Sequence, residues 1–185
     1  MADPPDPRSD EQLMAAYVGG DAAAFEVLFA RYADILYRLV RRRVSGDDDA
    51  RDLVQQTMLH LHRARHDFRR DSRLRPWLFT IAMNLVREYH RRRGRRREQL
   101  LEREPQALEP GDQPDSARAV RERVTRVRAA LDRLPEQQRE VIELHWFEES
   151  PYDEIAAIVG ASVAAVRVRA HRGYERLREI LSGHE

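Results

Sequence analysis

The chain has 185 residues and no cysteine, which excludes a disulfide framework and a thiolate metal site and leaves room for one domain or two small ones. Its formal charge of +1 sets 33 arginines against 32 acids, with no lysine, and 42% hydrophobic residues suffice for compact helical cores. No apolar run approaches a membrane span, and Met1-Ala2-Asp3-Pro4-Pro5-Asp6 lacks the basic and apolar parts of a secretory leader, so a cytoplasmic protein with no direct membrane insertion is expected.

Nearly every segment reads as helix. A short capped helix is expected from Ser9 to Val18, ending at Gly19-Gly20. Asp21 caps a long one, with Phe25, Leu28, Phe29, Tyr32, Ile35, Leu36 and Leu39 on a broad apolar face, and it stops near Ser45-Gly46. Asp47, Asp48 and Asp49 suit the positive end of a third helix, which carries Leu53, Val54, Met58, Leu59 and Leu61 and runs to about His66. A polar loop from Asp67 to Arg75 follows. Pro76 opens a fourth helix with Trp77, Leu78, Ile81, Ala82, Leu85 and Tyr89 as its core side. Trp77 reads more readily as core than as a base-stacking platform, being in phase with Ile81 and Leu85. Asn84 is a poor helix former in mid-helix, a position that often signals another task.

Charge is strongly segregated along the chain. Residues 63–97 hold thirteen arginines against three acids; residues 98–116 hold one against six, and residues 135–160 one against seven. The basic block suits a polyanion and the acidic blocks do not. The run His90-Arg91-Arg92-Arg93-Gly94-Arg95-Arg96-Arg97 is a candidate phosphate footprint, although such runs also occur as solvated tails. Residues 98–116, with Pro105, Pro110, Gly111 and Pro114, read as a flexible acidic linker between modules at 9–97 and 117–182.

Beyond it, helices resume with Val120, Val124, Val127 and Leu131, and Pro135 opens another with Val141, Ile142, Leu144 and Trp146. The segment from Ser150 to Arg169 then has the layout of a helix-turn-helix. Ser150 can cap the first helix with Pro151 at its first position and Asp153 at capping-box spacing. Gly160 falls where the turn wants a positive φ. Ser162 can cap the second helix, whose inner stripe is Val163, Val166 and Ala170 and whose Arg167, Arg169 and Arg172 fall largely outside it. A DNA-reading unit places this second helix in the major groove; a three-helix structural corner has the same spacing. In the cluster His60, His62 and His66, His62 and His66 lie one turn apart, but without a cysteine or an obvious third ligand no metal is expected; no Gly-rich phosphate loop or nucleophile–base set stands out, so no cofactor is expected either.

Three segments bear a resemblance together. They are Asp49-Ala50-Arg51-Asp52-Leu53-Val54-Gln55-Gln56-Thr57-Met58, the stretch Arg75-Pro76-Trp77 through Asn84 to Arg93, and Leu134-Pro135-Glu136-Gln137-Gln138-Arg139-Glu140-Val141-Ile142. With the helix-turn-helix, their order and spacing resemble the sigma-70 family of bacterial sigma factors, in its extracytoplasmic-function (ECF) group. The resemblance implies an all-α protein of two small helical domains that is not an enzyme. It implies a factor that binds core RNA polymerase, directs it to promoters and promotes strand opening. The first domain resembles region 2, which meets the polymerase clamp and the −10 element. The second resembles region 4, which meets the flap and the −35 element.

By the same resemblance, Asp49, Asp52, Leu53, Gln55, Gln56 and Met58 would dock on the clamp, although the residues alone also fit a capped, solvated helix. Arg69, Arg73, Arg75, Asn84, Arg87 and Arg91 would contact −10 DNA, with Asn84 near a pocket for a flipped-out base. Ala164, Ala165, Arg167, Val168, Arg169, His171 and Arg172 would contact −35 DNA. Arg167 keeps the charge of the family's usual Lys, and Arg169 matches directly. Ala165 and Val168 replace hydroxyl residues and could touch thymine methyl groups. An anti-sigma protein is the further partner implied, and a monomer is expected for the free chain. Rival readings are a dimeric helix-turn-helix repressor or activator, a DNA-processing enzyme, and a degenerate regulator that docks on polymerase without initiating.

Overall fold

A computed structural model describes residues 6–69, 71–99 and 115–183, with side chains at 6–69, 71–94 and 122–183. All regular structure among the described residues is helical: α1 (Asp10–Val18), α2 (Ala22–Arg41), α3 (Asp47–Arg63), a 3₁₀ turn (Arg65–Asp67), α4 (Leu74–Gln99), α5 (Asp115–Asp132), α6 (Glu136–Trp146), α7 (Tyr152–Val159) and α8 (Val163–Ser182). The chain divides into two compact units between Leu100 and Leu101. The segment read as the linker falls largely at 100–114, outside the described residues.

In the first unit, α1 starts with a complete capping box: Ser9 accepts from the Gln12 N–H, and Gln12 Oε1 accepts from the Ser9 N–H. Asp21 caps α2 through the Ala24 N–H at 3.3 Å. Gly46 precedes α3 without a side-chain cap, and three aspartates fill the first turn where the helix dipole favours them. Helix α2 packs against α1, α3 and α4, and α3 packs against α4. Leu13, Met14, Leu28, Leu36, Leu39, Leu61, Leu74, Leu78 and Phe79 are fully buried between them.

Several expected core positions are not core. The apolar face of α2 is narrower than its sequence predicts: Phe29 is exposed, and Phe25 and Ile35 are half-buried. Phe25 and Phe29 instead run along the helix flank, where Tyr17 stacks on Phe25 with ring centroids 4.9 Å apart. Leu59 is exposed, and α3 ends at Arg63, not near His66. Helix α4 begins at Leu74 and continues past Arg93 to Gln99, with Pro76 in the first turn, where its missing N–H does no harm.

In the second unit, α6 and α7 pack on α8, as does α5. Leu131, Leu134 and Ile142 form a buried cluster, against which Tyr174, Leu177 and Ile180 rest. Val124 and Val127 on α5, and Trp146 on α6, are exposed rather than buried. Trp146, at 66% exposure, donates its indole N–H to the Tyr174 hydroxyl at 2.7 Å. The helix-turn-helix starts one residue later than its Ser-Pro signal suggests. Pro151 is the N-cap, and Ser150 is fully buried with its hydroxyl making no cap. Gly160 adopts φ 65°, ψ 42°, the left-handed conformation that an L side chain resists, and it and Ala161 close the helix on the Ala156 carbonyl. Ser162 caps α8 by accepting from the Ala165 N–H at 3.2 Å.

Candidate nucleic-acid interface

The outward face of α4 is built by helical repetition. Trp77, Asn84 and Arg91 are seven residues apart, within about 20° of one direction around the axis, and Arg87 lies one turn from Asn84. Together they span about 21 Å at 1.5 Å per residue. The opposite face, with Leu74, Leu78, Phe79, Ala82, Met83 and Val86, is buried, so burial fixes which residues look outward. Asn84 and Arg91 are exposed, while Trp77 and Arg87 are half-exposed. The Arg87 guanidinium donates to Asn84 Oδ1 at 2.8 Å, which orients the Asn84 amide and leaves its NH₂ pointing elsewhere.

Trp77 is partly buried, between core and surface. Its ring lies against Phe68 in the preceding loop, with centroids 5.2 Å apart and planes at 51°. An aromatic pair thus sits at one end of a stripe that continues with an amide and two guanidiniums. Arg75 rests over the Phe79 ring at 4.8 Å. Arg69 is bound to Asp71 by two hydrogen bonds, at 3.2 and 2.9 Å. That bond raises the guanidinium's pKa and lowers the carboxyl's. Both groups are about three-quarters exposed, so the pair is weak and can yield to a phosphate. Arg73 is also exposed, at the end of the same loop.

The residues assigned to the clamp divide into two sets. Leu53 and Met58 are 5% and 4% exposed, so they hold α3 in the core and cannot be surface contacts, contrary to their expected role. Asp52 and Gln55 are exposed and Gln56 half-exposed, with Gln56 donating to Asp52 Oδ2 at 2.6 Å. Asp49 already has partners: its Oδ2 accepts from the Tyr89 hydroxyl at 2.7 Å, and Arg93 stands 3.6 Å away. Burial first, and then this bond, raises the Tyr89 pKa. Asp49 thus fastens the start of α3 to α4. Among the described residues no group of three metal-ligating side chains gathers; His62 instead meets the Tyr17 hydroxyl.

In the second unit, Val166, Ala170 and Gly173 turn α8 inward. Helical spacing then places Ala164, Val168 and His171 near the centre of the outward face, with Arg172 beside them and Arg167 and Arg169 on its two flanks. Val168 is 48% exposed, an apolar side chain among charged ones on this face. A groove runs beside it, lined by Pro135 and Gln138 at the start of α6 and by Ala165, Val168, Arg169 and Arg172 of α8. His171 lies 3.4 Å from Glu175, one turn on. Sequence reasoning missed the Phe68–Trp77 pair and the role of Gly173. A Cβ on Gly173 would come within 2.6 Å of Ile142 Cδ1, so the bare backbone is what lets α8 seat on α6. Glycine inside an apolar helical stripe is the one signal that pointed there.

Comparison with known proteins gives a consistent result. The family described as Sigma-70 region 2 matches residues 28–96, and that described as Sigma-70, region 4, matches residues 124–177. The chain is 37% identical over 168 residues to the RNA polymerase sigma factor CarQ of Myxococcus xanthus, covering 91% of this chain and 95% of CarQ. It is 32% identical over 174 residues to the ECF RNA polymerase sigma factor SigM of Mycobacterium tuberculosis, covering 94% and 85%. Among solved structures, it is similar to the sigma factor RpoE from Bartonella quintana in complex with the anti-sigma factor NepR. There the TM-score is 0.68 at 28% identity, over 87% of this chain and 98% of that one.

Proposed function

We propose a residue-level account of promoter engagement on the premise that this chain belongs to the sigma-70 family of bacterial sigma factors, in its ECF group. It is an alternative sigma factor, directing RNA polymerase to promoters for transcription initiation. The family is one of initiation factors, and the work is done by binding.

In this account the outward side of α3, with Asp52, Gln55 and Gln56, docks on the polymerase clamp. The loop around Phe68 and the outward face of α4 take the non-duplex −10 strand. A base leaves the stack, meets the Phe68–Trp77 rings and the Asn84 amide, and its phosphates meet Arg87 and Arg91. Unstacking costs a few kcal/mol, returned by stacking and edge hydrogen bonds, so opening draws on binding energy without nucleotide hydrolysis. The single observation that supports this reading is the alignment of Trp77 and Arg87, partly exposed, with Asn84 and Arg91, exposed, on one side of α4, beside Phe68.

The second unit reads the −35 element through α8 and meets the polymerase flap. Arg167 and Arg169 grip phosphates or base edges from the flanks of the helix, and Ala164, Ala165 and Val168 face base edges without hydrogen-bonding groups. That favours apolar contact with thymine methyl groups. The segment between α4 and α5 tethers the two modules, so that binding at one element raises the effective concentration at the other. The factor acts in the cytoplasm, where polymerase is, and an anti-sigma protein holds it inactive; the RpoE–NepR complex supports that last step.

The test is assembly. Size-exclusion chromatography should show the chain alone as a monomer with weak affinity for duplex DNA, and comigration with core polymerase when mixed. A stable symmetric dimer that binds duplex tightly by itself would favour a repressor or activator instead.

A further inference from the structure

Helix α4 carries the proposed −10 contacts, and its first turn needs acceptors for N–H groups that no carbonyl of the helix can reach. The residue before it, Arg73, has only donors. The Leu74 N–H donates instead to Glu11 Oε1 at 3.1 Å, from a helix 63 positions earlier in sequence. Leu74 itself is fully buried, so this junction lies at the edge of the core. The Glu11 carboxylate also places negative charge at the positive end of the α4 dipole.

The acceptor is held rigidly. Glu11 stands in the first turn of α1, whose start is fixed by the Ser9–Gln12 box. Arg31 donates to Asp10 Oδ1 at 2.6 Å and to the carbonyls of Asp6 and Arg8 at 2.6 and 2.9 Å. The Tyr32 hydroxyl donates to Asp10 Oδ2 at 2.6 Å. Two of these bonds hold Asp10 of α1 to α2 and two hold the segment just before α1, and α1 packs as well on the Arg65–Asp67 turn that leads into the Phe68 loop. It braces that loop at both of its ends.

We propose that Glu11 is a positioning residue for promoter opening: by capping α4 from another helix, it fixes the first turn of α4 and so holds Trp77 against Phe68 beside Asn84. This rests on the −10 role given above to that face. Glu11 belongs to neither the −10 set nor the clamp set of side chains named above, so polymerase affinity is expected not to depend on it.

The experiment compares wild type, Glu11→Ala and Glu11→Gln, each joined to core polymerase, on a duplex promoter and on the same promoter with its −10 segment already unpaired. Core affinity is measured separately. Glu11→Ala is expected to slow open-complex formation on duplex about tenfold, the scale of one lost capping bond. Core affinity and use of the unpaired template should stay within about twofold. Glu11→Gln, whose amide oxygen still accepts from the Leu74 N–H, should restore most of the duplex rate. The proposal is overturned if Glu11→Ala opens duplex as wild type does, if it loses core affinity or both templates in equal measure, or if Glu11→Gln fails as badly as Glu11→Ala. Failure of wild type itself to open any promoter would strike the −10 reading instead.

Discussion

Asn84 and Arg87 pair at 2.8 Å on an exposed helix face, where such a bond adds little to stability. Asn84→Ala should therefore leave the fold and core affinity nearly intact while slowing promoter opening about tenfold or more, read by permanganate footprinting of the −10 strand. Equal loss of polymerase binding would contradict its role. Asp49 presents the opposite case. Its bond to Tyr89 makes it a fastener between helices, so Asp49→Ala should cost about 1 kcal/mol of unfolding free energy. Asp52→Ala, at an exposed site, should cost less stability and more core affinity. Replacing Arg167 and Arg169 together should weaken −35-dependent promoter use about tenfold, at the low end of what paired arginine contacts are worth. Unchanged use would remove α8 from its assigned role.

Elements differ in how legible they were. Helix starts with a side-chain acceptor at the right place, at Ser9, Asp21 and Ser162, were readable because the cap is local. The start of α4 was not, because its acceptor is Glu11, remote in sequence. Ser150 was misread for a related reason: burial beside α6 keeps its hydroxyl from the cap and leaves that position to Pro151. Periodicity places Val166 and Ala170 of α8 and most of the inner side of α3 correctly, but the faces it implies are too wide: Phe29, Leu59 and Trp146 are exposed, and Trp77 and Val163 only partly buried. A large ring at the margin of a stripe can pack sideways on a neighbour, as Trp77 does on Phe68, and spacing alone cannot show that. Gly173 gives the sharpest test at this scale. Gly173→Ala should lower the unfolding free energy by about 1–3 kcal/mol, since the Cβ must displace Ile142 at the α6–α8 crossing. Thermal unfolding of the full chain checks this; an unchanged transition would mean that the crossing has slack.

The chain as a whole sorts its charge by task. Arginines gather in residues 63–97, on α4 and just before it, and on α8, whereas acids dominate residues 98–116 and 135–160. The arginine-rich segments suit a polyanion, whereas three of the acids in residues 135–160, Glu140, Glu143 and Glu148, are buried and add little to the surface charge. The order of two helical modules was legible from motif spacing. The clamp-facing side chains were legible only in part, because Leu53 and Met58 share the motif with Asp52 and Gln55 but point the other way. Promoter binding by the assembled holoenzyme should fall steeply with salt, since phosphate neutralisation releases counterions. The most direct measurement is transcription reconstituted from core polymerase, this chain and genomic DNA, with start sites mapped. Discrete starts, absent with core alone and sharing elements near −10 and −35, are the predicted result. A chain that binds core yet starts no transcript would contradict the account and leave a regulator that only docks.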